Sequence, residues 1–354
     1  MKTWCWVLLL LAFGACRQPT NNNTVEQKTS IRVVPRHAPA PASFFKKYVC
    51  RQGDSVLIEL YLHKNTTNSN SDSISYFMVS NSNYNGYSRY SGIISPDGAF
   101  NFSDYEKNTF AGWFCSDTSI YINAYTNNID SNGLIFYEEH TPVSVTPHCY
   151  YAARQEIPDK SKDRDTFCDY FLSFIDIKSI KVKSDSNNIT KLNRLTDAYL
   201  GNNIKLKKAP TAYTQFSKMA SVIFLSKDFT TVELHDYNHG CGTAHGQFRT
   251  TYFNYSFITG DTISLSDIFH PGALNKLTAI AKQKFIARYG NPEEGYSFHL
   301  TSNIAVLKSG ILFKYQVYEM GPFAAGEMEV FIPYSEVNAI LNHTPVTQPF
   351  LAGY

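Results

Sequence analysis

Asp236-Tyr237-Asn238-His239-Gly240-Cys241-Gly242-Thr243-Ala244-His245-Gly246 sets three glycines, two histidines and a cysteine between two strand-like runs. Upstream, 219–225 and 230–237 read as strands joined across Ser226-Lys227-Asp228, a short polar link suited to a hairpin. Downstream, 247–257 reads as another strand, and Thr259-Gly260-Asp261 turns the chain. A glycine-rich link in this position is either a metal or catalytic loop, or a tight connection inside a domain that binds rather than reacts.

His235, His239, Cys241 and His245 offer the ligand types zinc prefers, but their spacings of four, two and four match no standard zinc pattern. A Cys241 nucleophile paired with His239 or His245 and oriented by Asp236 would need one loop to supply all three groups in working geometry. The chain has no Gly-x-Ser-x-Gly elbow, phosphate loop or His-Glu-x-x-His. The structural reading is simpler: the glycines permit positive-φ turns, and His245 bonds backbone within the loop. Tyr237, His239, Thr243 and His245 remain as candidate ligand contacts, with no metal, cofactor or catalytic residue expected.

Working outward, 170–177 reads as a strand and 189–200 as a helix with Ile189, Leu192, Leu195 and Tyr199 on one face. The segment 271–289 is the strongest helix, with Leu274, Leu277, Ala281 and Phe285 at three- or four-residue intervals between Pro271 and Gly290. Runs 298–307 and 311–318 form a hairpin around Ser309-Gly310, with Phe313, Tyr315 and Val317 on one face and Lys314 and Gln316 on the other. A strand at 327–332 and a short helix after Pro333 complete an α+β domain, 160–345, with helices on one face of an antiparallel sheet.

Between 44 and 147 the pattern is different. Short alternating runs such as 56–62, 74–79 and 134–137 are broken by turns at Asn85-Gly86, Pro96-Asp97-Gly98 and Asn132-Gly133, which predicts a small all-β barrel or sandwich. Its aromatics Tyr84, Tyr87, Tyr90, Phe100, Phe102, Tyr105, Phe110, Trp113 and Phe114 are read as core, with Tyr84, Tyr87 and Tyr90 the best candidates for an exposed surface.

Lys2, the apolar run 4–13 and the small residues Gly14-Ala15 before Cys16 read as a lipoprotein signal, 1–15, with Cys16 the lipidated first residue. Segment 16–43, rich in Asn, Thr, Pro and Ala, reads as a flexible linker. No run is long enough to span a bilayer as a helix. The expected location is a bacterial outer membrane or other envelope membrane, periplasm-facing because Arg17-Gln18-Pro19-Thr20 lacks acidic sorting residues. A net charge of +2 without a basic stripe argues against nucleic acid. Export permits disulfides, and Cys50 with Cys115 and Cys149 with Cys168 are candidate pairs, though all could be buried thiols.

Gly242-Thr243-Ala244-His245, Tyr252-Phe253-Asn254-Tyr255, Leu265-Ser266-Asp267-Ile268-Phe269, Tyr318-Glu319-Met320-Gly321-Pro322-Phe323-Ala324-Ala325-Gly326 and Ile332-Pro333-Tyr334 follow one another in an informative order. Together, over about 165–343, they resemble the extracytoplasmic domain shared by lysozyme-sensing anti-sigma factors and some peptidoglycan deacetylases, a domain also found in lipoproteins of unknown function. Thr243 stands where a second glycine is common, and Cys241 is an addition. The resemblance implies a non-enzymatic domain that binds an envelope ligand, a lysozyme-like protein or peptidoglycan, with Pro322 and Phe323 added to the candidate contacts. A cell-wall glycan hydrolase using Glu319 and Glu327, a deacetylase accessory protein or a structural envelope lipoprotein are the alternatives.

Overall fold

The computed structural model describes residues 38–39, 44–65, 74–81, 86–103, 109–125, 133–141, 143–156, 172–183, 187–200, 214–240 and 243–351. These are mostly β, in largely antiparallel sheets with few helices, and they form two compact units that divide between His140 and Thr141. Cys16, the signal and nearly all of the linker, Cys168, Cys241, Tyr84 and Tyr105 lie outside the described residues.

The first unit is a closed barrel of eight consecutive strands: β1 (Phe44–Gln52), β2 (Ser55–Asn65), β3 (Ile74–Asn81), β4 (Gly86–Ile94), β5 (Ala99–Ser103), β6 (Thr109–Ser116), β7 (Ser119–Tyr125) and β8 (Leu134–Glu138). Strand β8 returns to β1 through Tyr48↔Glu138 and Val49↔Tyr137. Period-two patterning explains the filling: Tyr48, Leu60, Leu62, Phe100, Phe102 and Phe114 alternate inward, so side chains occupy the barrel interior. Trp113, one residue from Phe114, instead lies against Tyr121 of the next strand (4.6 Å between centroids). Gly112 is required by packing, since a Cβ there would come within 2.7 Å of the Phe100 ring. Gly98 closes the expected turn at φ +87°.

The candidate disulfide between Cys50 and Cys115 is not formed. Cys50 points into the barrel core from β1, whereas Cys115 sits in a register shift of β6, a strand not adjacent to β1. Cys149 lies on β9 (Ser144–Glu156), opposite Lys178.

The second unit departs from a single antiparallel sheet. Its larger sheet runs β13-β12-β11-β10-β9, built from β9, β10 (Leu172–Lys183), β11 (Thr214–Leu225), β12 (Phe229–Gly240) and β13 (Gln247–Ser256). β10 and β11 are parallel, because α1 (Asn187–Leu200) crosses over between them. Ile189, Leu192, Thr196 and Leu200 give α1 its buried stripe. Asn193 clamps the helix to β10, accepting from Val182 N–H (3.0 Å) and donating to Val182 O (2.8 Å). The alternation of 143–147, which from sequence belonged to the barrel domain, continues into β9 and pairs with β10.

A smaller sheet, β14 (Ile304–Val306), β15 (Gly310–Tyr315) and β16 (Met328–Pro333), follows α2 (Leu265–Ile268) and α3 (Leu274–Tyr289). Leu277, Ala281 and Phe285 form the buried face of α3, and Phe285 meets Tyr315 of β15 at 5.7 Å. Gly290, at φ +84°, ends the helix.

Amide side chains join the two sheets. Asn254 of β13 donates to Ile304 O (2.8 Å) and accepts from Val306 N–H (2.7 Å), so it copies a neighbouring strand. Asn303 accepts from Tyr252 N–H (3.1 Å) and donates to Thr250 O (2.8 Å), and Gln316 accepts from Thr250 N–H (3.1 Å). The edge of β13 thereby satisfies its backbone without a ladder.

Candidate functional site

The loop between β12 and β13 meets the loop between β15 and β16. His245 stacks on Phe323 with centroids 3.6 Å apart and rings 18° from parallel, and Phe248 of β13 meets Phe323 edge-on at 5.7 Å. Tyr318 completes the cluster, its ring 5.8 Å from Phe323 and its hydroxyl 3.2 Å from His245 Nε2. Nδ1 stands 3.1 Å from Gly246 O, an acceptor, so Nδ1 carries a proton, and in the neutral ring Nε2 accepts from Tyr318.

Tyr318 has φ +66° and is the one non-glycine residue with positive φ among the described residues. It is third in a turn closed by Glu319 N–H donating to Gln316 O (3.1 Å), where glycine is the usual choice when φ is positive. Glu319 secures the same turn by accepting from Gln316 N–H (2.7 Å), and its other carboxylate oxygen lies 2.8 Å from His299 Nε2.

Deeper along β13, Thr250 donates to Glu327 (3.0 Å), which pairs with Lys314 (2.8 Å), which pairs with Glu329 (2.7 Å). Lys314, on the face of β15 opposite Phe313 and Tyr315, is buried, since both faces of that strand are covered. Burial works against its ammonium, but the charges and hydrogen bonds of Glu329 and Glu327 prevail and raise its pKa above the ordinary lysine value.

Of the residues singled out from sequence, His245 and Phe323 come together. Pro322 begins the short 3-10 turn Phe323–Ala325, with Ala325 N–H donating to its carbonyl (2.9 Å), and so shapes the loop. Tyr237 donates to Gln215 (3.3 Å), and its ring fills the space over Gly246, where a Cβ would stand 2.4 Å away. Thr243 donates to Gly240 O (2.8 Å), and His239 Nε2 stands 3.4 Å from Thr243 O, so the two meet at the end of their own hairpin. Neither Gly240 nor Gly246 adopts the expected positive φ; close packing by Tyr237 explains Gly246 instead. Sequence reasoning passed over Tyr318 and Phe248, although Tyr318 opens one of the quoted motifs; a tyrosine in a glycine-rich turn was the available signal.

Several quoted motifs are scaffold. Tyr255 donates to Gly260 O (2.9 Å) and Asn188 O (2.8 Å), Asp267 accepts from Ser264 N–H (2.8 Å), and Tyr334 donates to Leu307 O (2.9 Å).

Residues 266–335 match the model of a family of proteins of unknown function, DUF3298. No curated protein matches the chain. Among solved structures, a DUF3298-family member from Bacteroides fragilis NCTC 9343 is similar at 18% identity and a TM-score of 0.46, over 60% of this chain and 98% of that one. A DUF3298-family protein from Pseudomonas aeruginosa PAO1 is similar at 18% identity and a TM-score of 0.42, over 58% of this chain and 95% of that one.

Proposed function

We propose that the protein is a non-enzymatic lipoprotein, anchored to an envelope membrane through Cys16, whose second unit binds an envelope ligand at the two-loop aromatic cluster. The ligand is a lysozyme-like protein or peptidoglycan, as the resemblance to the extracytoplasmic domain of lysozyme-sensing anti-sigma factors and peptidoglycan deacetylases implies. The observation that carries this reading is Tyr318, half-exposed and held at a left-handed φ beside the stacked His245 and Phe323. Backbone strain concentrates where a side chain is needed for function.

Non-enzymatic binding is supported by the engagement of the two carboxylates that a glycan hydrolase would need. Glu319 holds its own turn and His299, and Lys314 and Thr250 take up one oxygen of Glu327, the other being buried without a partner. No helix among the described residues is long and apolar enough to cross a membrane; the proposed attachment is through lipid on Cys16.

Calorimetric titration of the full-length protein in mild detergent with a c-type lysozyme, and pull-down with purified peptidoglycan, tests the reading. Saturable micromolar binding of either is expected, and loss of lysozyme activity in the mixture would make the protein an inhibitor. Absence of both rejects the reading. Fatty-acid labelling that is unchanged in Cys16→Ser would reject the anchor.

A further inference from the structure

We infer that Tyr318 is the residue on which the ligand stacks, and that what it receives is a sugar ring of a glycan chain; this rests on the binding site proposed above. Three observations combine. A side chain with a Cβ resists φ +66°, and glycine would avoid the strain, yet a tyrosine stands there. The residue is 51% exposed although its hydroxyl is held by His245 Nε2, so a tyrosine is presented to solvent in a fixed orientation. The stacked His245–Phe323 pair lies beside it, and Phe248 backs Phe323, which keeps the ring from folding inward.

The ligand class follows from what surrounds that ring. The other exposed large hydrophobic side chains of the second unit, among the described residues, are Ile258, Leu274 and Tyr289, none on either loop. A protein partner is anchored by a broad group of apolar and aromatic side chains that bury together; one well-exposed ring backed by the partly buried His245, Phe248 and Phe323 offers less than that. A single ring suits a ligand with one flat C–H face and hydroxyls around its rim. Glu319, the residue after Tyr318, holds the half-exposed His299 imidazole at 2.8 Å, so polar side chains border the same turn.

The test is calorimetric titration of the full-length protein in mild detergent with a β-1,4-linked hexamer of N-acetylglucosamine, beside c-type lysozyme and purified peptidoglycan. Tyr318→Gly removes the ring while suiting the backbone, so its unfolding midpoint should not fall; Tyr318→Asn, which also tolerates positive φ, serves if the glycine loosens the loop. The wild type should bind the hexamer, and both variants should lose about tenfold in affinity, or ~1.4 kcal/mol. Tyr137→Ala, which removes a 61% exposed tyrosine of the barrel, should leave binding unchanged.

Binding of lysozyme or peptidoglycan without the hexamer would overturn this inference and leave the binding reading standing. Binding of none of the three would remove both. Hexamer binding that survives loss of the Tyr318 ring within twofold, or that falls with Tyr137→Ala, would place the glycan elsewhere and overturn the assignment.

Discussion

Replacing Asn254 by alanine should destabilise the second unit by about 4 kcal/mol and leave the barrel untouched. The side chain is 4% exposed and makes three contacts: it donates to Ile304 O, and accepts from Val306 N–H and from Thr231 Oγ1 at 3.1 Å. Thr231 keeps a second partner, Val306 O at 2.5 Å, so its hydroxyl is not stranded. The Val306 N–H and Ile304 C=O are stranded, and leaving a buried group unpaired costs ~1–3 kcal/mol each. Two such groups give about 2–6 kcal/mol, a large share of the ~5–15 kcal/mol that holds an ordinary domain folded. The mature protein carries an internal control: of the three tryptophans, Trp4 and Trp6 fall in the segment read from sequence as a signal, and Trp113 lies on β6 of the barrel. Urea unfolding followed by tryptophan fluorescence therefore reports the barrel, while far-UV circular dichroism reports both units. The dichroism transition should move to lower urea and the fluorescence transition should stay. A loss below ~1 kcal/mol, or an equal shift in both signals, would refute the claim that amide side chains join the two sheets.

Lys314→Met should cost the second unit ~3–5 kcal/mol by the same dichroism assay, because it leaves Glu327 and Glu329 facing each other without their buried counter-charge; an unchanged midpoint would show the triad to be dispensable. Tyr289→Phe removes a hydroxyl that accepts from Glu329 N–H (3.0 Å) and donates to Glu329 O (3.3 Å) at the outer edge of β16. It should cost ~1 kcal/mol, and sedimentation should show more self-association, since an uncovered edge invites another strand; a monomer of unchanged stability would contradict this. In the barrel, burial works against the Glu139 carboxylate, but hydrogen bonds and charges from Lys47 and Arg51 outweigh it and hold its pKa below the ordinary range. A depressed carboxylate stabilises above its unfolded pKa of about 4.3 and loses that contribution as pH falls through the lower folded value. Barrel stability by Trp113 fluorescence should therefore decline on acidification below about pH 4, and less steeply in Glu139→Gln; parallel profiles would assign the decline to other groups.

Much of the barrel was legible because period-two alternation and turn chemistry are local. Phe100, Phe102 and Phe114 announce their inward face by spacing alone, and Pro96-Asp97-Gly98 names its own turn. The parallel pairing of β10 with β11 was not legible, since a strand followed by a helix and another strand does not state its register until α1 is seen crossing over. The two-sheet arrangement was hidden for another reason: no local pattern marks Asn254, Asn303 or Gln316 as a partner of backbone, and only the fold shows them in that role. At the site, His245 and Phe323 were visible as members of glycine-rich loops, but their contact joins residues far apart in sequence. The strain at Tyr318 cannot be seen without dihedral angles.

The short seam of the barrel has a consequence in time. Strand β1 is made first and its closing partner β8 last, yet the two meet across only Tyr48↔Glu138 and Val49↔Tyr137, reinforced by Glu139 N–H donating to Lys47 O and by the Lys46–Glu138 pair. A contact between the ends of a long segment forms late, because the intervening chain must give up its freedom before the contact returns anything. A chain emerging from its amino end therefore carries a growing meander with both margins bare until Glu138 arrives. That interval, rather than the finished barrel, is when this unit is most open to pairing with a neighbour.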